Sequence, residues 1–333
     1  MRSDVSARAE TIGGFFELEI RRGAPYHRNA VALSSGRACL AEILRVVGPS
    51  RAWVPFYVCD TALAPFERAG IPTAFYDVDE RLDPSLPPGA PTERECLLYV
   101  NYFGLKGETA AALAAAHPRR VIVDDTQAFY ACGYTDAWSF NSARKFFGVP
   151  DGAYAYGPGL TAADRPRVPD VHYDHLVNRL LGHQQTAFDQ FQRSEAAVSS
   201  EPWRMSALAE RLLAGIDYDD VCTRRQRNYA VLHRMLGDRN RLRPIAAGAF
   251  DRTNGADAPF CYPLFVEGEV PWSTIWSRHL FVPRLWPDLA ARTDGGFAWE
   301  RRLADHVLPL PVDQRYGPDD MNMLADALRQ VLP

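Results

Sequence analysis

The sequence predicts an α/β protein, with a mostly parallel sheet flanked by helices in a large domain and a smaller α+β domain after it. Three observations predict this class. Short apolar runs alternate with helix-patterned segments through the first half of the chain. Two of the runs, "LLYV" and "VIV", are continuously apolar, as strands covered on both faces must be. Beyond about Leu160 the alternation gives way to long helical stretches rich in arginine and glutamine.

Strands are expected at Ala52–Phe56, Thr73–Asp79, Cys96–Phe103, Arg120–Asp125, Ala137–Phe140 and Ala153–Gly157, each an apolar or aromatic run bounded by turn residues. Between several of them, "GRACLAEILRVVG", "DTALAPFERAG" and "GETAAALAAAH" carry helical spacing. Later, His172–Gln192 and Met205–Leu236 read as long helices and "CYPLFVEGE" as a strand. "WSTIWSRHL" reads as a helix, "HVLPLPV" as a strand, and "GPDDMNMLADALRQVL" as a closing helix with acids in its first turn. The division is placed after Trp203, with a large domain over 1–203 and the smaller one over 204–333.

With 333 residues, 47% hydrophobic and 23% charged, the chain can bury a substantial core. A formal net charge of −4 argues against a nucleic-acid partner. No apolar run approaches the roughly 18 residues of a membrane span. The start, "MRSDVSARAE", has charges where a signal peptide is apolar, so a cytoplasmic location is expected. The six cysteines are scattered and read as reduced thiols, mostly in the core, and no metal site is expected. "HYDH" offers two histidines without further ligands, and GxSxG is absent.

One oddity points to chemistry. Of 37 basic residues 35 are arginine, and the two lysines are Lys106 and Lys145. Lys145 sits in "SFNSARKFFG", between a strand and a turn. Arginine stays protonated and forms no imine, so a nucleophilic amine must be lysine. In "VIVDDTQAF", Asp124 stands at a strand's carboxyl end, with Gln127 in the turn beyond. In "ALSSGRACL", Ser34, Ser35 and Gly36 lead into a helix whose free amides could hold a phosphate, although a serine cap alone explains the pattern. "VPFYVCDTA" puts Phe56 and Tyr57 past a strand, in reach of a flat ring. Amine, carboxylate, phosphate-ready helix start and aromatic are together the parts of a pyridoxal 5'-phosphate (PLP) site. The weaker alternative is "YGPGLTAAD", whose GxGxxA spacing at Gly157, Gly159 and Ala162 would suit a dinucleotide; a plain turn explains it as well.

The same residues carry a resemblance. The chain resembles the DegT/DnrJ/EryC1/StrS family of fold-type-I PLP-dependent sugar aminotransferases, as a divergent member. "ALSSGRACL" is similar to the family's phosphate motif "SSGTAAL", and "VDDTQA" to "EDAAQA". "SFNSARK" is similar to "SFxxxK", and "WRMSALAERLLAGID" to "YRMSELQAALGLAQL". The resemblance implies a Schiff base of PLP on Lys145, with Asp124 on the pyridine nitrogen and Gln127 near the ring oxygen. It puts Gly36 and Arg37, with Ser139 or Asn141 (or Ser142), on the phosphate, where Arg37 replaces the family's threonine. Tyr57 is the substitute for a stacking aromatic whose position holds Cys59, and Pro202 stands where the family has an asparagine serving the partner subunit. The resemblance further implies a homodimer, an amino-acid donor such as glutamate, and a keto-sugar acceptor on a nucleotide carrier. Residues 160–200 have no family counterpart and are expected to shape the substrate pocket. The departures leave open a protein that keeps the fold as a binding or regulatory partner, or another PLP reaction on an amino acid or amine.

Overall fold

The computed structural model describes residues 14–162, 164–247 and 258–332; the charged start "MRSDVSARAE" lies outside them. Eight strands form the main sheet: β1 (Val31–Leu33), β2 (Arg51–Pro55), β3 (Thr73–Val78), β4 (Pro84–Ser85), β5 (Glu95–Val100), β6 (Val121–Asp124), β7 (Trp138–Phe140) and β8 (Ala153–Tyr156). Their order is β1-β8-β7-β6-β5-β2-β3-β4. The run from β7 through β6, β5 and β2 to β3 is parallel; β8 pairs antiparallel to both β1 and β7, and β4 antiparallel to β3. A second sheet pairs β9 (Cys261–Phe265) antiparallel with β10 (Val307–Pro311).

The helices are α1 (Gly36–Val47), α2 (Asp60–Arg68), α3 (Gly107–Ala116), α4 (Asp174–Leu180), α5 (Gln184–Ala196) and α6 (Ala207–Ala214). They continue as α7 (Tyr218–Leu236), α8 (Arg243–Ala247), α9 (Trp272–Ser277), α10 (Ala298–His306) and α11 (Pro318–Arg329).

The central strands are buried on both faces, as their unbroken apolar character requires. Cys96, Leu98, Ile122, Trp138 and Phe140 pack with Leu40, Ile43 and Leu44 of α1. Their alternates Leu97, Tyr99, Val121 and Val123 join α3, α7, β9, β10 and α11 in a second, larger core. All six expected strands of the first half form, each within a few residues of its reading. The chain near 96–103 leaves its strand at Val100 and turns through Tyr102–Gly104, where Phe103 has a φ of 60°.

Two long helical readings are corrected. His172–Gln192 divides into α4 and α5 at Gly182, whose φ of 83° no helix continues. His172 therefore precedes α4 and shares no helical face with His175. Met205–Leu236 divides into α6 and α7, with Asp217 capping the second through Asp220 N–H at 3.2 Å. Of the cysteines, 39, 96, 222 and 261 are buried, Cys59 is half-buried and Cys132 exposed, all with free thiols. No helix among the described residues is long and apolar enough to cross a membrane.

Candidate active site

β6 ends on Asp124, and its parallel neighbours β5 and β7 end beside it. This carboxyl edge is where open α/β sheets bind ligands. The loop leaving β6 is pinned on both sides: Asn101 N–H donates to the Asp124 carbonyl at 3.0 Å, and Asp125 N–H to the Phe140 carbonyl at 2.8 Å. Asp125 is also buried, and its Oδ1 accepts from Asn101 Nδ2 at 2.9 Å and Tyr134 OH at 3.0 Å.

Asp124 itself is buried, and its Oδ1 accepts from Thr126 N–H at 2.8 Å. Its second oxygen has no protein partner among the described residues. Lys145 closes a one-turn 3-10 helix and is exposed. Its Nζ donates to Thr126 Oγ1 at 2.9 Å. One threonine therefore serves the carboxylate with its amide and the amine with its hydroxyl.

The start of α1 completes the group. Ser35 caps it, accepting from Ala38 N–H at 3.0 Å and donating to the Ser199 carbonyl at 2.9 Å. A Cβ on Gly36 would lie 3.3 Å from Thr126 Cγ2 and 3.4 Å from the Asn141 carbonyl oxygen. A side chain there would press on both loops. Ala38 and Cys39 N–H are taken by Ser35, so the amides of Gly36 and Arg37 are the ones that stand beside this junction for a ligand. Arg37 is half-buried, and its Nη2 donates to the Glu195 carbonyl at 3.5 Å. Burial lowers its pKa from the usual guanidinium value, Glu195 opposing that shift and Arg144 adding to it.

The other expected residues are placed less uniformly. Gln127 is buried with Oε1 accepting from Phe103 N–H at 2.6 Å, so its amide NH₂ is the group left for a ligand. Asn141 is committed. Tyr154 N–H donates to its Oδ1 at 3.0 Å, and its Nδ2 donates to His27 Nε2 at 3.0 Å and the Phe129 carbonyl at 3.4 Å. Its backbone, not its side chain, adjoins Gly36. Ser139 is buried in β7, and strand alternation puts it on the face away from Trp138, Phe140 and α1. Ser142 is half-buried and makes no capping bond. Tyr57 is buried, its ring 5.5 Å from Tyr102 and edge-on to Trp286 at 4.3 Å, so it packs in the core rather than on an open face. Cys59, at the start of α2, is half-buried with Sγ 3.1 Å from Thr61 Oγ1.

Some contributors gave no sequence cue. Phe146, the residue after Lys145, has its carbonyl held by Gln314 Nε2 at 2.9 Å and Arg225 Nη2 at 3.4 Å. Arg225 is buried, stacks on the Phe146 ring at 4.4 Å, and also donates to the Pro259 and Phe260 carbonyls. Burial pushes its pKa down to about 10. Thr126 lay inside the quoted "VDDTQA", where it is the one hydroxyl between Asp124 and Gln127.

The donor set fits PLP. An exposed amine, a buried carboxylate with a free oxygen, and a helix start that a Cβ would crowd meet at one threonine. The dinucleotide reading of "YGPGLTAAD" fails on geometry. A Cβ on Gly157 would be 2.2 Å from Trp138 Cδ1, and among the described residues no helix starts directly after the turn, the next being α4 at Asp174. With an open cleft of about 560 Å³ lined by Val46, Glu93, Arg119 and Trp138, that turn lies at the opposite, amino edge of the sheet.

No family model matches the sequence, and no curated protein matches it either. The fold, however, is shared with solved aminotransferases. It is similar to a DegT DnrJ EryC1 StrS aminotransferase from Brucella abortus, with TM-score 0.60 and 16% identity over 90% of this chain and 85% of that one. It is similar to DesI, solved in the presence of its TDP-sugar product, with TM-score 0.59 and 18% identity over 91% and 80%. It is similar to 3-amino-5-hydroxybenzoic acid synthase, with TM-score 0.57 and 16% identity over 92% and 87%. The expected fold-type-I architecture is borne out: a mostly parallel sheet flanked by helices, with a small antiparallel sheet toward the carboxyl end.

Proposed function

We propose that the protein is a PLP-dependent aminotransferase, moving an amino group from an amino acid, glutamate by resemblance, to a keto sugar on a nucleotide carrier. The observation that carries this reading is the meeting of Lys145, Asp124 and Gly36 at Thr126. PLP would supply an electron sink for the carbon that gains and loses the amine. Lys145 would anchor the cofactor and then move a proton at the substrate carbon. Asp124, buried at the strand end, would keep the pyridine nitrogen protonated by its charge. Gln127 would orient the ring through its free NH₂. The Gly36 and Arg37 amides and the Arg37 guanidinium would hold the phosphate, with Ser139 or Ser142 beside them, since the Asn141 side chain is committed elsewhere. The low identity to DesI and to 3-amino-5-hydroxybenzoic acid synthase supports the fold without choosing between a sugar and another keto acceptor.

The same proposal includes a homodimer, a cytoplasmic location, no nucleic-acid partner, and the division into 1–203 and 204–333. A second reading, a protein that keeps the fold as a binding or regulatory partner, is favoured by one observation: Tyr57 is packed away in the core, while by resemblance Cys59 holds the stacking aromatic's position. The deciding experiment is an absorbance spectrum with added PLP, followed by borohydride reduction and peptide mapping. A visible band fixed onto Lys145, absent in Lys145→Ala, supports the enzyme. No band, or label on Lys106 alone, moves the binding reading first. Amine transfer from glutamate in a half-reaction then separates a transaminase from another PLP chemistry.

A further inference from the structure

The turn that bears Lys145 also bears Arg144, and the helix start that bears Gly36 also bears Arg37. Both guanidinium groups converge on Glu195 near the end of α5. Arg144 makes a close ion pair with its Oε1, and Arg37 Nη2 reaches its carbonyl at 3.5 Å. Four residues further on, the Ser199 carbonyl accepts from the α1 cap Ser35 at 2.9 Å. The α4–α5 segment, which sequence comparison could not place, is thus fastened across the start of α1.

Arg37, Arg144 and Lys145 lie around the helix start, whose dipole end is also positive; Asp124 reaches Lys145 through Thr126, Asp151 faces Arg144 from the buried side, and Glu195 pairs with Arg144 from the solvent side. The Arg144 side chain is 14% exposed and that of Glu195 45% exposed. The cation is built into the wall, while the carboxylate is half in water and free to swing outward. A guanidinium accepts a carboxylate or a phosphate in the same forked geometry, so one can replace the other.

We propose that Glu195 is a displaceable internal counter-ion, holding the Arg144–Arg37 position until a phosphate monoester takes it and loosens α5 from the helix start. The identity of the phosphate as that of PLP rests on the function proposed above; the displacement does not. Charge neutrality in the empty site is kept by the chain itself, and an entering phosphate must compete with it.

The test uses inorganic phosphate and the full chain at constant ionic strength, reading affinity by calorimetry. Glu195→Gln keeps the size and one hydrogen bond while removing the charge, and should bind phosphate about three- to ten-fold more tightly than the parent. Glu195→Ala should move the same way, and Arg144→Ala should bind more weakly than the parent. Equal or weaker binding in both Glu195 variants overturns the proposal. PLP labelling of Lys145 is measured alongside. Labelling with unchanged phosphate affinity rejects the counter-ion and keeps the enzyme reading, whereas tighter phosphate binding without labelling does the reverse.

Discussion

Lys145 Nζ and Thr126 Oγ1 stand 2.9 Å apart, and the same Thr126 gives its amide hydrogen to Asp124. The amine and the carboxylate come from different segments, the turn after β7 and the end of β6, yet share one orienting residue. Replacing Thr126 by valine keeps the shape and removes the hydroxyl, leaving Lys145 free to rotate through several rotamers. The rate of borohydride-fixable PLP uptake should fall by roughly five- to ten-fold, the worth of one hydrogen bond of about 1 kcal/mol. Thr126→Ser should restore most of it. An unchanged rate in Thr126→Val would remove the hydroxyl from the site.

Gly36→Ala tests the cradle. The added methyl would press on Thr126 Cγ2 at 3.3 Å and the Asn141 carbonyl at 3.4 Å, contacts that loops can yield to by a few tenths of an ångström. The expectation is a folded protein, with thermal stability lowered by about 1–3 kcal/mol, whose PLP affinity drops at least ten-fold. Equilibrium dialysis against PLP measures it, and parental affinity would show that the helix start holds no phosphate.

Arg225 links the carboxyl-terminal part of the chain to the lysine turn. Arg225→Met keeps much of the volume but strips donors from the Pro259, Phe260 and Phe146 carbonyls. We expect a loss of about 3 kcal/mol in urea unfolding. Gln314→Ala alone should cost less and still slow labelling of Lys145, because the Phe146 carbonyl then keeps only the longer bond from Arg225. Matching labelling rates in all variants would separate the turn from both residues.

The acid limb of stability should report His27. Because Asn141 Oδ1 is taken by Tyr154 N–H, its Nδ2 must donate to His27 Nε2, which leaves Nδ1 to carry the hydrogen toward Tyr156 OH at 2.7 Å. The ring is therefore held neutral, and burial lowers its pKa from 6.5 to about 4. Between those values the unfolded chain binds the proton and the folded one does not, so stability is full above pH 6.5 and is lost as pH falls toward 4. Across that window the loss is about 3 kcal/mol. Urea titrations at pH 7 and pH 5 should differ in the parent and differ less in His27→Gln; parallel pH dependence in the two proteins would absolve the histidine.

The main sheet was legible because parallel strands need apolar residues on both faces, a pattern that "LLYV" and "VIV" show without context. That Asp124, Lys145 and Gly36 come together was legible because each is a residue type few other tasks in a strand-end loop call for. What escaped notice has physical reasons. β1 is three residues long, and only its pairing with β8 makes it a strand. Gly182 sits in a helical pattern whose polar residues gave no hint of a left-handed turn. Tyr57 looked available because a strand's end is exposed in sequence, whereas Tyr102 and Trp286, which cover it, come from distant segments. Arg225 resembles its many arginine neighbours, and only its burial sets it apart.

The pairing of β1 with β8 has a temporal side. The strand that leads into α1 finds its partner in Val31↔Ala155, so it has no sheet to join until β8 exists. Loop-closure entropy makes such distant pairings slow relative to local helices. During synthesis the helix α1 can form early, but its amino end stays unanchored until residue 155 has left the ribosome. The lysine turn, residues 141–146, is laid down just before that moment, so ligand-binding competence would arrive as one late event rather than in pieces. A nascent chain stopped short of β8 would carry Gly36, Asp124, Thr126 and Lys145 with the start of α1 still unanchored.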